Sequence, residues 1–268
     1  MTLARVLIIA GSDSGGGAGI QADIKSVTAL GGYAMTAITA LTAQNTQGVQ
    51  SVLSVEPAFI REQIISVLED IGADVIKTGM LHDPEVIDIV AETLAEYGAD
   101  IPLVVDPVMV AQSGHQLVSE TAMQRLSQRL LKQAALITPN LPEAQALLGY
   151  PIESAAAMPA AAKALCDWGC KAVLLKGGHL AGDQLVDVLA SAQHYIELPQ
   201  SRVPTTSDHG TGCTLASAIA EGIGRGLSTE EAVKRGRAYL RRALETATPL
   251  GQGHGPVNHG HTVGIMTS

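Results

Sequence analysis

A glycine-rich segment in the last quarter of the chain combines a turn, a helix start and a thiol. It reads Asp208-His209-Gly210-Thr211-Gly212-Cys213-Thr214 and runs directly into an apolar stretch at 215–223 that predicts a helix. Unpaired backbone N–H groups and the helix dipole make such a helix start a binding place for an anion. The same position predicts a lowered pKa for the Cys213 thiol. The segment therefore indicates phosphate binding and favours phosphoryl transfer.

Two charged side chains come directly after predicted buried strands. Asp106 follows a strand at 103–105, and Lys176 follows a strand at 172–175. A carboxylate at the end of a buried strand is costly unless it is paired or close to a metal ion. A lysine in this place is suited to holding nucleotide phosphates, although a solvated lysine is the simpler alternative.

Asn140 and Glu143 lie three residues apart where another helix is expected to begin. They would share one face of that helix, where they could hold Mg²⁺ through water molecules. The same pair also fits an ordinary N-cap with a capping glutamate, and the sequence leaves both interpretations open. Acidic, amide, basic and anion-binding groups are thus expected at one edge of a parallel sheet. A kinase that uses a magnesium nucleotide needs this combination, because phosphoryl transfer depends on positioning and charge neutralisation.

Short apolar runs alternate with helical segments and predict the elements that position these groups. The predicted strands are 6–10, 75–77, 103–105, 135–137 and 172–175. The predicted helices are 20–30, 57–71, 84–97, 119–131, 154–168, 214–223 and 228–246. This alternation indicates right-handed βαβ units and a mostly parallel sheet. Two strand pairs are expected to break it, a small flap from 33–44 and 47–55, and a hairpin from 185–190 and 195–198.

The composition limits the class of protein. The chain has 268 residues, of which 46% are hydrophobic, enough for one large α/β domain or two small ones. A net charge of −9 argues against non-specific nucleic-acid binding. We expect no membrane span, because no apolar run reaches about 18 residues. Three cysteines do not suggest a disulfide framework, and a cytoplasmic location is expected.

Eight motifs in order give the chain a resemblance to a known family. They are 10–23 (AGSDSGGGAGIQAD), 42–46 (TAQNT), 77–81 (KTGML), 106–109 (DPVM), 138–143 (TPNLPE), 176–178 (KGG), 209–214 (HGTGCT) and 253–259 (GHGPVNH). Together they span nearly the whole chain. It resembles the ribokinase-like superfamily, and within it the hydroxymethylpyrimidine/phosphomethylpyrimidine kinases of thiamine biosynthesis.

The resemblance implies a fold and a reaction. The fold is a ribokinase-like three-layer αβα sandwich with a mostly parallel sheet of about eight strands, here a single domain over residues 1–268. The reaction is ATP- and Mg²⁺-dependent phosphorylation of 4-amino-5-hydroxymethyl-2-methylpyrimidine and then of its monophosphate. Homodimers are usual in the family, so a homodimer is expected.

The resemblance also implies roles for particular residues. The anion hole would be formed by Gly210, Thr211, Gly212 and Cys213. Lys176 would contact the ATP phosphates, and Mg²⁺ would be organised by Asn140 and Glu143, with Asp106 a weaker candidate. The pyrimidine pocket would be lined by Gly11, Ala18, Asp23, Gln44, Met80 and Val108. Gln44 is the most specific of these, because its amide offers both a donor and an acceptor to an aminopyrimidine edge. Met80 and Val108 fit simple core packing as well.

Two alternatives remain open at this stage. Many relatives in the superfamily have an aspartate base where this chain has Cys213. The thiol either assists proton transfer or merely contacts the substrate, because the transition state is loose. The chain could also be a pyridoxine/pyridoxal kinase of the same fold, or a non-catalytic sensor. Gln44 argues for the pyrimidine, and the intact phosphate-binding motifs argue against a sensor.

Overall fold

The computed structural model describes residues 3–109 and 119–264 of the chain. Within these ranges, nine strands form one continuous sheet. They are β1 (Arg5–Asp13), β2 (Tyr33–Asn45), β3 (Gly48–Ser54), β4 (Val75–Thr78), β5 (Leu103–Val105), β6 (Leu136–Ile137), β7 (Ala172–Leu175), β8 (Gln184–Ser191) and β9 (Tyr195–Ser201). Their order across the sheet is β3-β2-β1-β4-β5-β6-β7-β8-β9. The six strands from β2 to β7 are parallel, which confirms the mostly parallel sheet.

The helices cover both faces of the sheet. They are α1 (Gly19–Ala29), α2 (Pro57–Asp70), α3 (Pro84–Tyr97), α4 (Glu120–Arg129), α5 (Leu141–Leu148), α6 (Met158–Cys166), α7 (Thr211–Gly224) and α8 (Thr229–Glu245). Helices α1, α7 and α8 pack together on one face, and α2 to α6 cover the other. Each face buries its own apolar cluster, built largely from Ala, Val, Ile and Leu. The three-layer architecture is therefore confirmed.

Antiparallel strands lie at the two ends of the sheet. Strand β3 pairs with the outer half of β2, so the predicted strand pair is present. The prediction that residues 33–44 break the parallel pattern is wrong, however, because β2 pairs in parallel with β1 and belongs to the central sheet. Strands β8 and β9 form the predicted hairpin at the opposite edge. The additional pairing makes nine strands in the described residues, one more than the family resemblance implied.

Local sequence signals explain most helix starts. Pro57 and Pro84 occupy the first turns of α2 and α3, where a missing N–H costs nothing. Ser228 and Glu231 form a capping box at the start of α8. Two starts differ from the prediction: α6 begins at Met158 rather than at residue 154, and α7 begins at Thr211 rather than at residue 214. The earlier start of α7 matters for the site. Its first turn therefore contains three of the four residues expected to form the anion hole.

In the described part of the chain, no helix is long and apolar enough to cross a membrane.

Candidate active site

The predicted phosphate-handling residues meet at the carboxyl edge of β5, β6 and β7. Lys176 Nζ lies 3.2 Å from Asp106 Oδ1, which also accepts a 2.9 Å hydrogen bond from the Thr138 hydroxyl. A Cβ added to Gly212 would lie 3.4 Å from Asp106 Oδ2 and 3.5 Å from Lys176 Nζ. The first turn of α7 therefore faces the Asp106 carboxylate, which follows β5, and the Lys176 ammonium, which follows β7. The parallel sheet brings Asp106 and Lys176 together across 70 residues, and α7 places Gly212, 36 residues after Lys176, beside them.

Neighbouring carboxylates keep Lys176 a cation despite its burial. Burial acts to lower its pKa, but the carboxylates of Asp106 and Glu143 outweigh that effect and the pKa is raised. The ammonium is only partly exposed, with 14% of the side chain accessible. A fixed positive charge thus lies beside the start of α7, where a transferring phosphoryl group would be attracted.

Asn140 and Glu143 adopt the capping arrangement that the sequence had left as one of two options. The Asn140 side chain accepts from the Glu143 backbone N–H at 2.9 Å, and the Glu143 carboxylate accepts from the Asn140 backbone N–H at 2.7 Å. Burial raises the pKa of Glu143 to about 7, Lys176 lowers it, and Asp106 raises it further. The Asp106 charge thus opposes ionisation of Glu143, and a divalent cation beside the two carboxylates would be favoured. Among the described residues, however, no cluster of three or more His, Cys, Asp or Glu is suited to hold a metal by itself.

The anion loop is pressed against the glycine-rich loop that follows β1. Gly210 is the N-cap of α7 and has a φ of +82°, which favours glycine. A Cβ at this position would also overlap the carbonyl oxygen of Gly17. The close approach leaves Gly210, Thr211, Gly212 and Cys213 partly exposed on their other side. The backbone N–H groups at the start of α7 are thereby presented along one wall of the site.

The prediction of a lowered pKa for Cys213 is wrong. Burial raises the pKa of this thiol to about 12, and the negative charges of Asp23 and Asp106 add to the effect. The Lys77 ammonium and the Gly19 backbone N–H lower the pKa, but less than burial raises it. Cys213 is the third residue of α7, within the packed first turn, and is not an exposed residue at its tip. The helix dipole therefore does not make this thiol a ready base.

Of the six residues predicted to bind the pyrimidine, four lie at the surface of the cleft and two, Gly11 and Asp23, are buried. Ala18, Gln44, Met80 and Val108 are partly exposed, while Gly11 is buried with a Cβ position only 2.5 Å from Met80 Cε. Gly11 and Met80 are therefore packed directly against each other at the ends of β1 and β4.

Asp23 differs from this group and requires a correction. It is fully buried, and its two carboxylate oxygens accept hydrogen bonds from Lys77 Nζ at 2.9 and 3.0 Å. The Ser217 hydroxyl donates a third bond at 2.7 Å. Asp23 does not line an open pocket, because its side chain turns inward to hold a buried lysine beneath α7.

A third group of polar residues was not assigned a role from the sequence. Asp13 ends β1 and accepts backbone N–H bonds from Gly15, Gly17 and Ala18 at 2.8, 2.9 and 2.8 Å. His209 Nε2 lies 3.0 Å from Asp13 Oδ2. Burial acts to raise the pKa of Asp13, but the His209 and backbone bonds outweigh it and the pKa is lowered. Asp13 therefore holds the glycine-rich loop and the anion loop together as a carboxylate.

A sequence signal existed for some of these missed residues. Lys77 is a charged residue inside the apolar strand β4, which requires a buried partner. Asp13 and His209 stand within motifs that the family resemblance already used, but their pairing joins positions 196 residues apart. Neither motif alone could have revealed it.

Comparisons with known proteins now bear on this geometry. The family model described as phosphomethylpyrimidine kinase matches residues 13–258. The chain belongs to this family. The matched segment contains every residue of the phosphate-handling site, the Asp13–His209 pair and Gln44. The family is one of kinases, so ATP is implied as the cosubstrate.

Several members of the family cover most of the chain. A hydroxymethylpyrimidine/phosphomethylpyrimidine kinase of Streptomyces coelicolor is 46% identical over 261 residues, which are 97% of this chain and 95% of that protein. A thiamine biosynthesis bifunctional protein, ThiED, of Geobacter sulfurreducens is 48% identical over 95% of this chain. The chain spans about half of the length of that bifunctional protein, 52%.

Solved structures include both of the kinase types considered from the sequence. A phosphomethylpyrimidine kinase of Clostridium difficile 630 has a TM-score of 0.80 at 40% identity, covering 90% of this chain and 99% of its own. A Bacillus subtilis pyridoxal kinase, solved as an ADP complex, has a TM-score of 0.89 at 34% identity, covering 96% and 98% of the two chains. These neighbours confirm the ribokinase-like fold expected from the sequence.

Proposed function

We propose that this protein phosphorylates 4-amino-5-hydroxymethyl-2-methylpyrimidine and then its monophosphate, using ATP and Mg²⁺, in thiamine biosynthesis. The observation that carries the proposal is the meeting of Asp106, Lys176 and the first turn of α7 beside Gly212. It lies at the same sheet edge as Gln44, whose amide can pair with an aminopyrimidine. Family relatives named for this reaction support the substrate assignment.

The chain's own residues divide the work of phosphoryl transfer. Lys176 contacts the phosphates of ATP and neutralises charge, and the backbone N–H groups from Gly210 to Cys213 stabilise the transferring group. The high pKa of Cys213 favours the contact role over the role of a resident base. A loose transition state needs little removal of the hydroxyl proton before bond breaking, so a thiol suffices at this position.

The residues present fit a magnesium ion that is bound mainly through phosphate oxygens. The Asp106 carboxylate raises the cost of ionising Glu143, and a divalent cation near them would relieve it. Asp106, Glu143 and Asn140 would hold the ion, in part through water. Mg²⁺ supplies charge neutralisation on the phosphates of the nucleotide when it is bound.

The experiment that tests the proposal is a phosphorylation assay with mass detection. Hydroxymethylpyrimidine, its monophosphate and pyridoxine are offered separately with ATP and Mg²⁺. We expect sequential monophosphate and diphosphate products from the pyrimidine. Turnover of pyridoxine alone would instead support the pyridoxal kinase alternative, whose solved structures share the same fold. No turnover of any substrate would favour a sensor.

A matched pair of lysine variants tests the site itself. Lys176→Met should lower kcat by about a hundredfold or more, because it removes the ammonium group that lies beside Asp106. Lys171→Met is the control, since Lys171 is exposed and comes just before the opposite end of β7. Equal activity of the two variants would contradict the assignment.

We further propose that the chain is a single domain that acts in the cytoplasm as a homodimer. The exposed apolar side chains of the flap, Val52 at 43% and Leu53 at 66%, support an interface there. Sedimentation equilibrium of the wild type and of Leu53→Glu tests this. A monomeric wild-type protein would contradict it.

A further inference from the structure

His209 links three parts of the site that come from distant segments of the chain. Its Nε2 lies 3.0 Å from Asp13 Oδ2 and 3.4 Å from Gln44 Nε2. Its imidazole also packs so tightly on Gly17 that a Cβ there would overlap the ring. The next residue along the chain, Gly210, opens the anion loop. His209 is 8% exposed, so Nε2 finds its hydrogen-bond partners among these neighbours.

The hydrogen-bond donors around His209 fix its tautomer. The Asp13 carboxylate is ionised, since its pKa is lowered, and it can only accept. Nε2 of His209 must therefore carry a hydrogen, which points to Asp13 Oδ2 at 3.0 Å and is shared, in a three-centre bond, with the more distant Gln44 atom at 3.4 Å. A donor at Nε2 cannot accept from the amide nitrogen of Gln44. The atom of Gln44 that faces His209 is then its oxygen, because the two ends of an amide have nearly the same shape and the hydrogen bonds decide between them.

The opposite end of the Gln44 amide gives the same answer independently. The Thr42 hydroxyl lies 2.9 Å from the Ser12 carbonyl and 3.2 Å from the other terminal atom of Gln44. Its single hydrogen is donated to Ser12 at the shorter distance. Thr42 can then only accept from Gln44, which requires the NH₂ group of the amide on this side.

We propose that His209 is a positioning residue for substrate selection. Anchored by Asp13, it fixes the Gln44 amide with its oxygen toward His209 and its NH₂ toward Thr42. This inference rests on the proposed function for the identity of the substrate, but the arrangement of the side chains does not depend on it.

The fixed amide also sets the direction of the pyrimidine ring. The 4-amino group must donate to the Gln44 oxygen on the His209 side, while the neighbouring ring nitrogen accepts from the NH₂ group on the Thr42 side. The carbon that bears the hydroxymethyl group adjoins the amino-bearing carbon on the side away from that nitrogen. The hydroxymethyl group is therefore directed past His209, toward Gly210 and the anion loop. The reversed amide would receive the ring in the opposite direction and move the reacting hydroxyl away from that loop.

A double-mutant cycle tests whether His209 acts through Gln44. His209→Met removes the Nε2–H donor and keeps a side chain of similar length. We expect this variant to raise KM for hydroxymethylpyrimidine about five- to tenfold, while KM for ATP stays within twofold of wild type. In a Gln44→Met background, the same change should have less than a twofold further effect. His209→Gln restores a donor near the position of Nε2 and should recover most of the loss. His194→Met, in the exposed turn between β8 and β9, is the matched control and should leave KM unchanged.

Additive effects in the cycle, or a His209→Met variant that raises KM for ATP as much as for the pyrimidine, would overturn the proposal. A measurement on the ligand-free wild type keeps it testable if the variants do not fold or if the pyrimidine is not a substrate. Nitrogen-15 NMR of the histidine rings at pH 8 should show His209 protonated at Nε2. A neutral His209 protonated only at Nδ1 would refute the arrangement, whereas absent turnover with the expected tautomer would refute only the substrate.

Discussion

The buried pair of Lys77 and Asp23 makes a stability prediction whose magnitude follows from its surroundings. Both side chains are completely inaccessible, and Lys77 Nζ bonds both oxygens of Asp23. Burial acts to lower the pKa of Lys77, but Asp23, with Cys213 and Asp106, outweighs it and the pKa is raised. Lys77→Met would leave the Asp23 carboxylate with the Ser217 hydroxyl alone. Removing one partner of a buried pair costs about 3–5 kcal/mol, and we expect a loss of unfolding free energy in that range.

Urea unfolding followed by circular dichroism measures this loss against a matched control. Lys163→Met makes the same chemical change at an exposed pair, in which Lys163 is 59% and Asp167 62% accessible. That pair should contribute at most about 0.5 kcal/mol. The double variant Asp23→Asn/Lys77→Met removes both charges and should cost about 2 kcal/mol less than the sum of the single variants. The reasoning is refuted if Lys77→Met is no more destabilising than Lys163→Met.

The pH dependence of the Lys77→Met variant provides a second check on the same pair. Burial already raises the pKa of Asp23 in the wild type, where Lys77 acts to lower it, and loss of the ammonium should raise the folded-state pKa further above its unfolded value. The folded protein then binds the proton more strongly than the unfolded chain, so stability falls as pH rises toward the folded-state pKa. The deficit relative to wild type should be smaller at pH 5 than at pH 8.

Three further predictions concern the site. Gly210→Ala should lower kcat about a hundredfold, because its φ of +82° is strained for alanine and the new Cβ would overlap the Gly17 carbonyl. Gly226→Ala controls for backbone strain, since Gly226 has a φ of +92° but open space around it. Equal kcat values for the two variants would contradict the packing argument. Because the pKa of Cys213 is about 12, iodoacetamide should alkylate this thiol in the folded protein at pH 7.5 at least about tenfold more slowly than free cysteine. Peptide mapping identifies the alkylated cysteine. A rate equal to that of the free thiol would exclude the raised pKa. Because burial raises the pKa of Glu143 from 4.5 to about 7, the contribution of Glu143 to stability should be lost as pH rises across that interval. The urea midpoints at pH 5 and pH 8 should therefore differ less in Glu143→Gln than in the wild type. An unchanged difference would count against the raised pKa of Glu143.

Regular features of the fold could be predicted from sequence because they depend on local patterns. The strands, the flap, the hairpin and the helices with first-turn prolines follow from periodicity and capping, which act within a few residues. The start of α7 was placed three residues late, since Thr211, Gly212 and Cys213 suggest a turn on composition alone. These three residues are helical in the structure, and the residue before them, Gly210, makes a tertiary contact with Gly17 that composition does not reveal.

The site was harder to predict where burial decides the chemistry. The position of Cys213 near a helix start was correct, but its pKa depends on how deeply the first turn is packed and on Asp23 and Asp106. Asp23 was assigned to the pocket from a motif, and only the three-dimensional structure reveals Lys77 as its partner. A motif specifies which residues lie near a ligand loop, but not which of them turn inward.

The choice between a pyrimidine and a pyridoxal substrate cannot be made from the fold. Solved pyridoxal kinases match this chain with TM-scores up to 0.90, higher than the 0.80 of a phosphomethylpyrimidine kinase. Phosphate-handling groups serve either substrate equally, because they act on the nucleotide and the transferred group. Discrimination must therefore come from polar atoms that face the ring. In this protein His209 and Thr42 hold the Gln44 amide in one orientation. The acceptor and donor that it turns toward the ring stay unpaired unless an aminopyrimidine edge meets both. An enzyme rejects a wrong substrate strongly when that substrate leaves a polar group of the site unpaired.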